Sequence, residues 1–68
     1  MRILLNGEPC DLEGPLSIAA LLELRQINPL LVAVEYNRLV VKRARYGETM
    51  IEEGSEVEIV NFVGGGGE

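Results

Sequence analysis

The chain has 68 residues, 11 acidic against 6 basic side chains, a formal charge of −5, one cysteine and no histidine. A disulfide or zinc scaffold is thereby excluded, Ser-His-Asp and Cys-His chemistry goes with it, and the acidic balance argues against nucleic acid as the main partner. With 47% hydrophobic and 25% charged residues, one small globular domain with a modest core remains.

In chain order, Arg2 to Asn6 reads as a strand, with Ile3 and Leu5 on one face and Leu4 on the other. Asn6-Gly7 follows, the dipeptide that best tolerates the positive φ angles of a tight hairpin. Cys10-Asp11-Leu12-Glu13 alternates apolar and polar as a returning strand would, and Gly14-Pro15 ends it. The apolar run after Arg2 is too short for a signal peptide. No stretch reaches the roughly 18 apolar residues of a membrane span. Cys10 is therefore expected to be a reduced, half-buried structural thiol in a cytoplasmic protein.

Ser17 to about Arg25 is expected to form a short helix, with the Ser17 hydroxyl capping its first turn. Leu16 and Leu21 then hold the two positions of a hydrophobic staple. Ile18, Leu21 and Leu22 fall at i, i+3 and i+4, which turns one apolar face toward a sheet. Pro29 bars continuation.

Leu31 to Tyr36 is a strand by its β-branched and aromatic content. Asn37-Arg38 is a turn, Leu39-Val40-Val41 a short strand, and Glu52 to Ser55 a second turn. Glu56 to Val63 is the last strand, with Val57 and Ile59 toward the core and Glu56 and Glu58 away from it. Val60 and Phe62 share the glutamate face, which makes them the candidate partner-binding residues outside the tail. Four of the six basic residues, Arg38, Lys42, Arg43 and Arg45, cluster with no acid among them. Such a run either docks an acidic patch or solubilises an edge; the second reading is the simpler. Glu56 and Glu58 would need a cleft to act as an acid–base pair, and read instead as an exposed solvated face. The order of elements is that of an α+β domain, a mixed sheet with one main helix on one face.

Gly64 to Gly67 form an unbroken glycine run followed by Glu68. Four glycines carry no side chain to bury and lose the most entropy on ordering, so a flexible tail is expected. Extended, they span about 13–14 Å. From composition, the run is either an inert, frayed terminus or an arm that threads a channel too narrow for side chains.

Taken whole, the chain resembles the ThiS family of sulfur carrier proteins. The resemblance rests on the opening strand with Asn6-Gly7-Glu8, the leucine-rich helix Ser17–Arg25, the segment Val32-Ala33-Val34-Glu35-Tyr36-Asn37 and, most specifically, the ending from Glu53 through Val57-Glu58-Ile59-Val60-Asn61-Phe62-Val63 to Gly64-Gly65. It implies a ubiquitin-like β-grasp fold over residues 1–63, with first and last strands parallel and adjacent, and a tail over 64–68. It further implies no bound cofactor and no catalytic residue. A ThiF-type adenylyltransferase would use ATP to adenylate a C-terminal glycine, and a sulfur donor such as a cysteine desulfurase would supply a persulfide. Thiazole synthase would draw sulfur from the resulting thiocarboxylate to build the thiazole of thiamin. Residue by residue, the sulfur-carrying carboxylate falls on Gly67, or on Gly65 or Gly66 depending on maturation, and Gly64, Gly65 and Gly66 thread the partner sites. Two residues depart from the family pattern. Glu68 follows the glycine that should end the chain, so it is trimmed or the form is not activatable. Ser55 stands where aspartate is usual. A carrier serving molybdopterin or cysteine synthesis, and a noncovalent β-grasp module with an inert tail, are the alternatives. A monomer is the simplest state for a protein that inserts its tail into partners.

Overall fold

Two asparagines at positive φ set the outline of the sheet. Asn6 (φ 52°) and Gly7 (φ 82°) join strand β1, Arg2–Leu5, to β2, Glu8–Asp11; Asn37 (φ 51°) and Arg38 (φ 72°) join β4, Val32–Tyr36, to β5, Leu39–Val41. Two consecutive residues at positive φ make a type I′ turn, whose twist matches that of the strands it joins. Between the two hairpins lies β7, Glu56–Asn61, parallel to β1 and antiparallel to β4, so the strand order is β2-β1-β7-β4-β5. The computed structural model describes residues 1–62. Val63, Gly64 to Gly67 and Glu68, and with them the expected domain boundary at 63, lie outside the described residues.

One helix, α1, Ile18–Leu24, covers one face of this sheet. The Ser17 hydroxyl accepts from the Ala20 N–H at 3.0 Å. Seven residues are too few to hold a helix in water, so burial must supply its stability. Ile18, Leu21 and Leu22 are fully buried with Ile3, Val32, Val34 and Val57 from the sheet. Leu16, just before the cap, packs against this core as the staple requires.

The structure corrects several expected boundaries. The returning strand begins at Glu8 and runs through Pro9, because β2 is a sheet edge and proline is tolerated where the missing amide would face solvent. Leu12 lies beyond that strand yet is buried. Leu31 is not in β4: the Asn28 side chain accepts from the Leu30 N–H at 2.9 Å and starts a 3₁₀ turn over Pro29–Leu31. A second sheet of two short strands, β3 (Leu16–Ser17) with β6 (Met50–Ile51), brings Ile51 into the core. Cys10 is half-buried against the core as a free thiol, as expected. No helix among the described residues is long and apolar enough to cross a membrane.

Candidate functional site

Three anchors fix β7, the strand that leads to the glycine run. At its start, the Asn37 N–H donates to the Glu56 carbonyl at 2.7 Å while the Asn37 side chain accepts from the Glu56 N–H at 2.9 Å. Where β1 ends, the Asn6 side chain takes over and accepts from the Ile59 N–H at 2.8 Å. Just past the strand, the Phe62 N–H donates to the Leu31 carbonyl at 2.9 Å. The backbone is thus held up to the last described residue.

The turn before β7 is pinned by a buried hydroxyl. Ser55, only 4% exposed, donates to the Glu52 carbonyl, and its oxygen lies 2.8 Å from the Tyr36 hydroxyl. Because the single Ser55 proton goes to Glu52, Tyr36 is the donor in that contact. The Glu52 N–H in turn donates to the Tyr36 oxygen at 3.0 Å. Besides closing the turn on itself, Ser55 thereby ties the turn to β4.

Side chains alternate along β7 as its period of two demands. Val57 is fully buried and Ile59 half-buried, whereas Val60 and Phe62 are each 54% exposed. Leu30 and Leu31 are also exposed, presented by the 3₁₀ turn that receives the Phe62 amide. Together these four give the outgoing end of β7 an apolar rim. Leu30 and Leu31 escaped the sequence reading, which put Leu31 in a strand; Asn28-Pro29 was the available signal for a turn. Upstream on the outer face the surface turns acidic. Glu35 and Glu58 stand directly opposite each other across β4 and β7, and Arg38 reaches Glu56 at 3.4 Å beside them. Like charges in that register cost stability.

β1 stops at Leu5, so the distal half of β7 has no strand on that side. A cleft of about 490 Å³ opens there, lined by Leu5, Pro9, Cys10, Arg25, Ile59 and Asn61 among others. Farther back on the β1–β2 hairpin, Arg2 grips Asp11 with contacts of 2.8 and 3.2 Å. That pairing holds the Asp11 carboxyl below the usual carboxylate range and raises the Arg2 guanidinium, by hydrogen bonding first and charge second. Among the described residues, no group of three or more His, Cys, Asp or Glu side chains is placed to hold a metal. The candidate sulfur-carrying and threading glycines, Gly64 to Gly67, lie outside the described residues.

A central parallel β1–β7 pair, with one helix across the sheet and a glycine run after the central strand, is now in place. Residues 3–66 match the ThiS family. The chain belongs to the ThiS family. The crystal structure of a thiamine biosynthesis protein, ThiS, from Geobacter metallireducens superposes with a TM-score of 0.86 at 32% identity, covering 97% of this chain and all of that one. The solution structure of a thiamine biosynthesis protein from that organism gives 0.80 at 31% identity, covering 100% of this chain and 91% of that one. The β-grasp fold follows. A thiazole synthase of Magnetococcus marinus is 42% identical over 66 residues, 97% of this chain and 20% of its own length. This ThiS-family chain therefore spans about a fifth of that relative. The uncharacterized protein ycf40 of Porphyra purpurea is 36% identical, with 97% of this chain and 93% of that protein covered.

Proposed function

We propose that this chain is a sulfur carrier for thiazole formation in thiamin synthesis, a protein substrate that its partners act on. The observation that carries the reading is the end of β7: a centrally held strand that delivers the glycine run past an exposed Val60–Phe62 pair. In this reading a ThiF-type enzyme joins the Gly67 carboxylate to the α-phosphate of ATP, releasing pyrophosphate. A carboxylate is a poor electrophile, and the adenylate supplies the leaving group. A persulfide sulfur from a cysteine desulfurase then attacks the acyl carbon and expels AMP. A second thiol attacks the donor-side sulfur of the resulting acyl disulfide, supplying the two electrons and ending as a disulfide with the donor cysteine, so that the thiocarboxylate is released. Thiazole synthase receives that sulfur, while Gly64, Gly65 and Gly66 occupy the narrow approach to each active site. The carrier binds no cofactor; ATP belongs to its activating enzyme. Val60 and Phe62, with Leu30 and Leu31, form the apolar anchor. The acidic face of Glu35, Glu56 and Glu58 favours a basic partner surface. The thiazole synthases among the relatives support this pathway over molybdopterin or cysteine synthesis.

The test uses the chain ending at Gly67 with a ThiF-type enzyme, ATP and a persulfide donor, followed by intact mass measurement. The expected product is heavier by the difference between one sulfur and one oxygen. An unchanged mass under an enzyme that activates a reference carrier overturns the reading. Phe62→Ala is expected to raise the KM for activation about fivefold, the loss of one modest interface contact, with the thermal midpoint unchanged.

A further inference from the structure

The two edges of the sheet are finished differently. Edge β2 carries Pro9, which has no amide hydrogen to offer, between the acids Glu8 and Asp11. Proline and charge are the usual protections against strand addition. Edge β5 carries neither: its residues are Leu39, Val40 and Val41. In a two-residue hairpin the residues flanking the turn form the hydrogen-bonded pair, so Leu39 and Val41 point their backbone groups at β4. The N–H and C=O of Val40 consequently face outward. Leu39 and Val40 are 72% and 73% exposed, more than any other large apolar side chain among the described residues. Alongside runs a groove of about 450 Å³, lined by Tyr36, Leu39, Val41, Lys42, Arg45 and Thr49. Of the basic run, Lys42 and Arg45 line this groove, Arg45 also meeting Glu48 at 3.0 Å, while Arg38 turns to Glu56 and Arg43 to the Pro29 carbonyl. Lys42 has no ion pair among the described residues.

We propose that β5 accepts an extended, acidic segment of a partner protein as a sixth strand of the sheet. Open backbone groups supply the main-chain pairing, and the groove takes alternate apolar side chains, as strand addition requires. Lys42 and Arg45 select carboxylates at the ends of the segment. A second copy of this chain fits poorly. Two-fold antiparallel pairing of β5 about Val40 sets Arg38 of each copy opposite Lys42 of the other, and β2 of another copy offers Pro9 where a donor is needed. Since β4 separates β5 from β7, this edge and the outgoing end of β7 can be occupied together. The proposal stands independently of the sulfur-carrier reading.

The test is a heteronuclear NMR titration of the full ¹⁵N-labelled chain with a capped octapeptide, Val-Ile-Val-Ile flanked by two glutamates on each side. Expected are shifts confined to Leu39–Lys42 and their β4 partners, and slowed hydrogen exchange at the Val40 amide. Replacing the glutamates of the peptide by lysines should weaken binding at least about tenfold, as should the double variant Lys42→Glu/Arg45→Glu. The peptide swap needs no change to the protein, so misfolding of the variant would not mask the answer. Shifts centred on Val60 and Phe62, equal binding of the lysine peptide, no binding at millimolar peptide, or sedimentation showing dimers through this edge would each overturn the proposal.

Discussion

The β1–β2 and β4–β5 hairpins are near copies in construction and opposites in finish. Each turns on an asparagine at φ close to 50°, and each asparagine spends its side chain on an amide of β7. Beyond that they diverge. The first hairpin follows its asparagine with glycine and closes its edge with proline and acids; the second follows with Arg38 at φ 72° and leaves its edge bare and basic. Holding the central strand therefore demands the same device from both sides, whereas the outer strands are free to differ. The shared part serves the fold, and the divergent part leaves the two edges chemically unlike.

The comparison breaks most severely at Ser55, where the hairpins are joined. Its backbone carbonyl accepts from the Leu4 N–H of the first hairpin, and its side chain meets Tyr36 of the second. Ser55→Ala keeps the first link and strips the second, leaving the half-buried Tyr36 hydroxyl and the Glu52 carbonyl each short of a bond, at a cost of about 1–2 kcal/mol in urea unfolding. Amide exchange should accelerate in β4 and β5 more than in β1 and β2. Next come the paired asparagines. Asn6→Ala and Asn37→Ala each lose a bond to β7 and place alanine at positive φ, so each should cost about 1–2 kcal/mol; similar values would confirm equivalent roles. The second turn positions should then separate by sign. Gly7→Ala is strained at φ 82° and should destabilise by about 1 kcal/mol, while Arg38→Gly relieves a strained position and should stabilise by up to about 1 kcal/mol. The smallest effect belongs to Arg2–Asp11. A carboxyl whose folded pKa is depressed contributes stability above its unfolded pKa and loses it as pH falls through the folded value. The pair is fully exposed, so acid titration of Asp11→Asn should differ only slightly from the parent, and less still in high salt.

How much of this was legible depended on whether the signal was local. Asn6-Gly7 announces its turn because both residues tolerate positive φ. Asn37-Arg38 was recognisable as a turn, but nothing in arginine announces φ 72°; the sheet imposes it. Ser17 and the spacing of Ile18, Leu21 and Leu22 marked the helix to within a residue of its observed limits. The β3–β6 pair was invisible, since two-residue strands are fixed by what packs around them and not by their own pattern. Pro9 hid the start of β2 for a related reason: only knowledge that the strand is an edge makes proline acceptable there. In the candidate site, period-two alternation correctly turned Val60 and Phe62 outward. Leu30 and Leu31 were missed because a run of branched apolar residues conceals a 3₁₀ turn. The buried role of Ser55 was equally hidden, as it depends on Tyr36, 19 residues away.

The parallel pairing of β1 with β7 has a consequence for biosynthesis. The first strand made waits for the last, since Leu4 and Leu5 find their inner neighbours only when Glu56 and Val57 arrive. Hairpins and helix can form early, yet the sheet has no middle until then, and contacts so distant in sequence are the slow ones to close. A chain still emerging from the ribosome therefore has no completed core to bear a working end. The strand that completes the sheet is also the one that leads to the glycines in sequence, so a partner docking on the proposed anchor at Phe62 would meet only molecules whose sheet is already assembled.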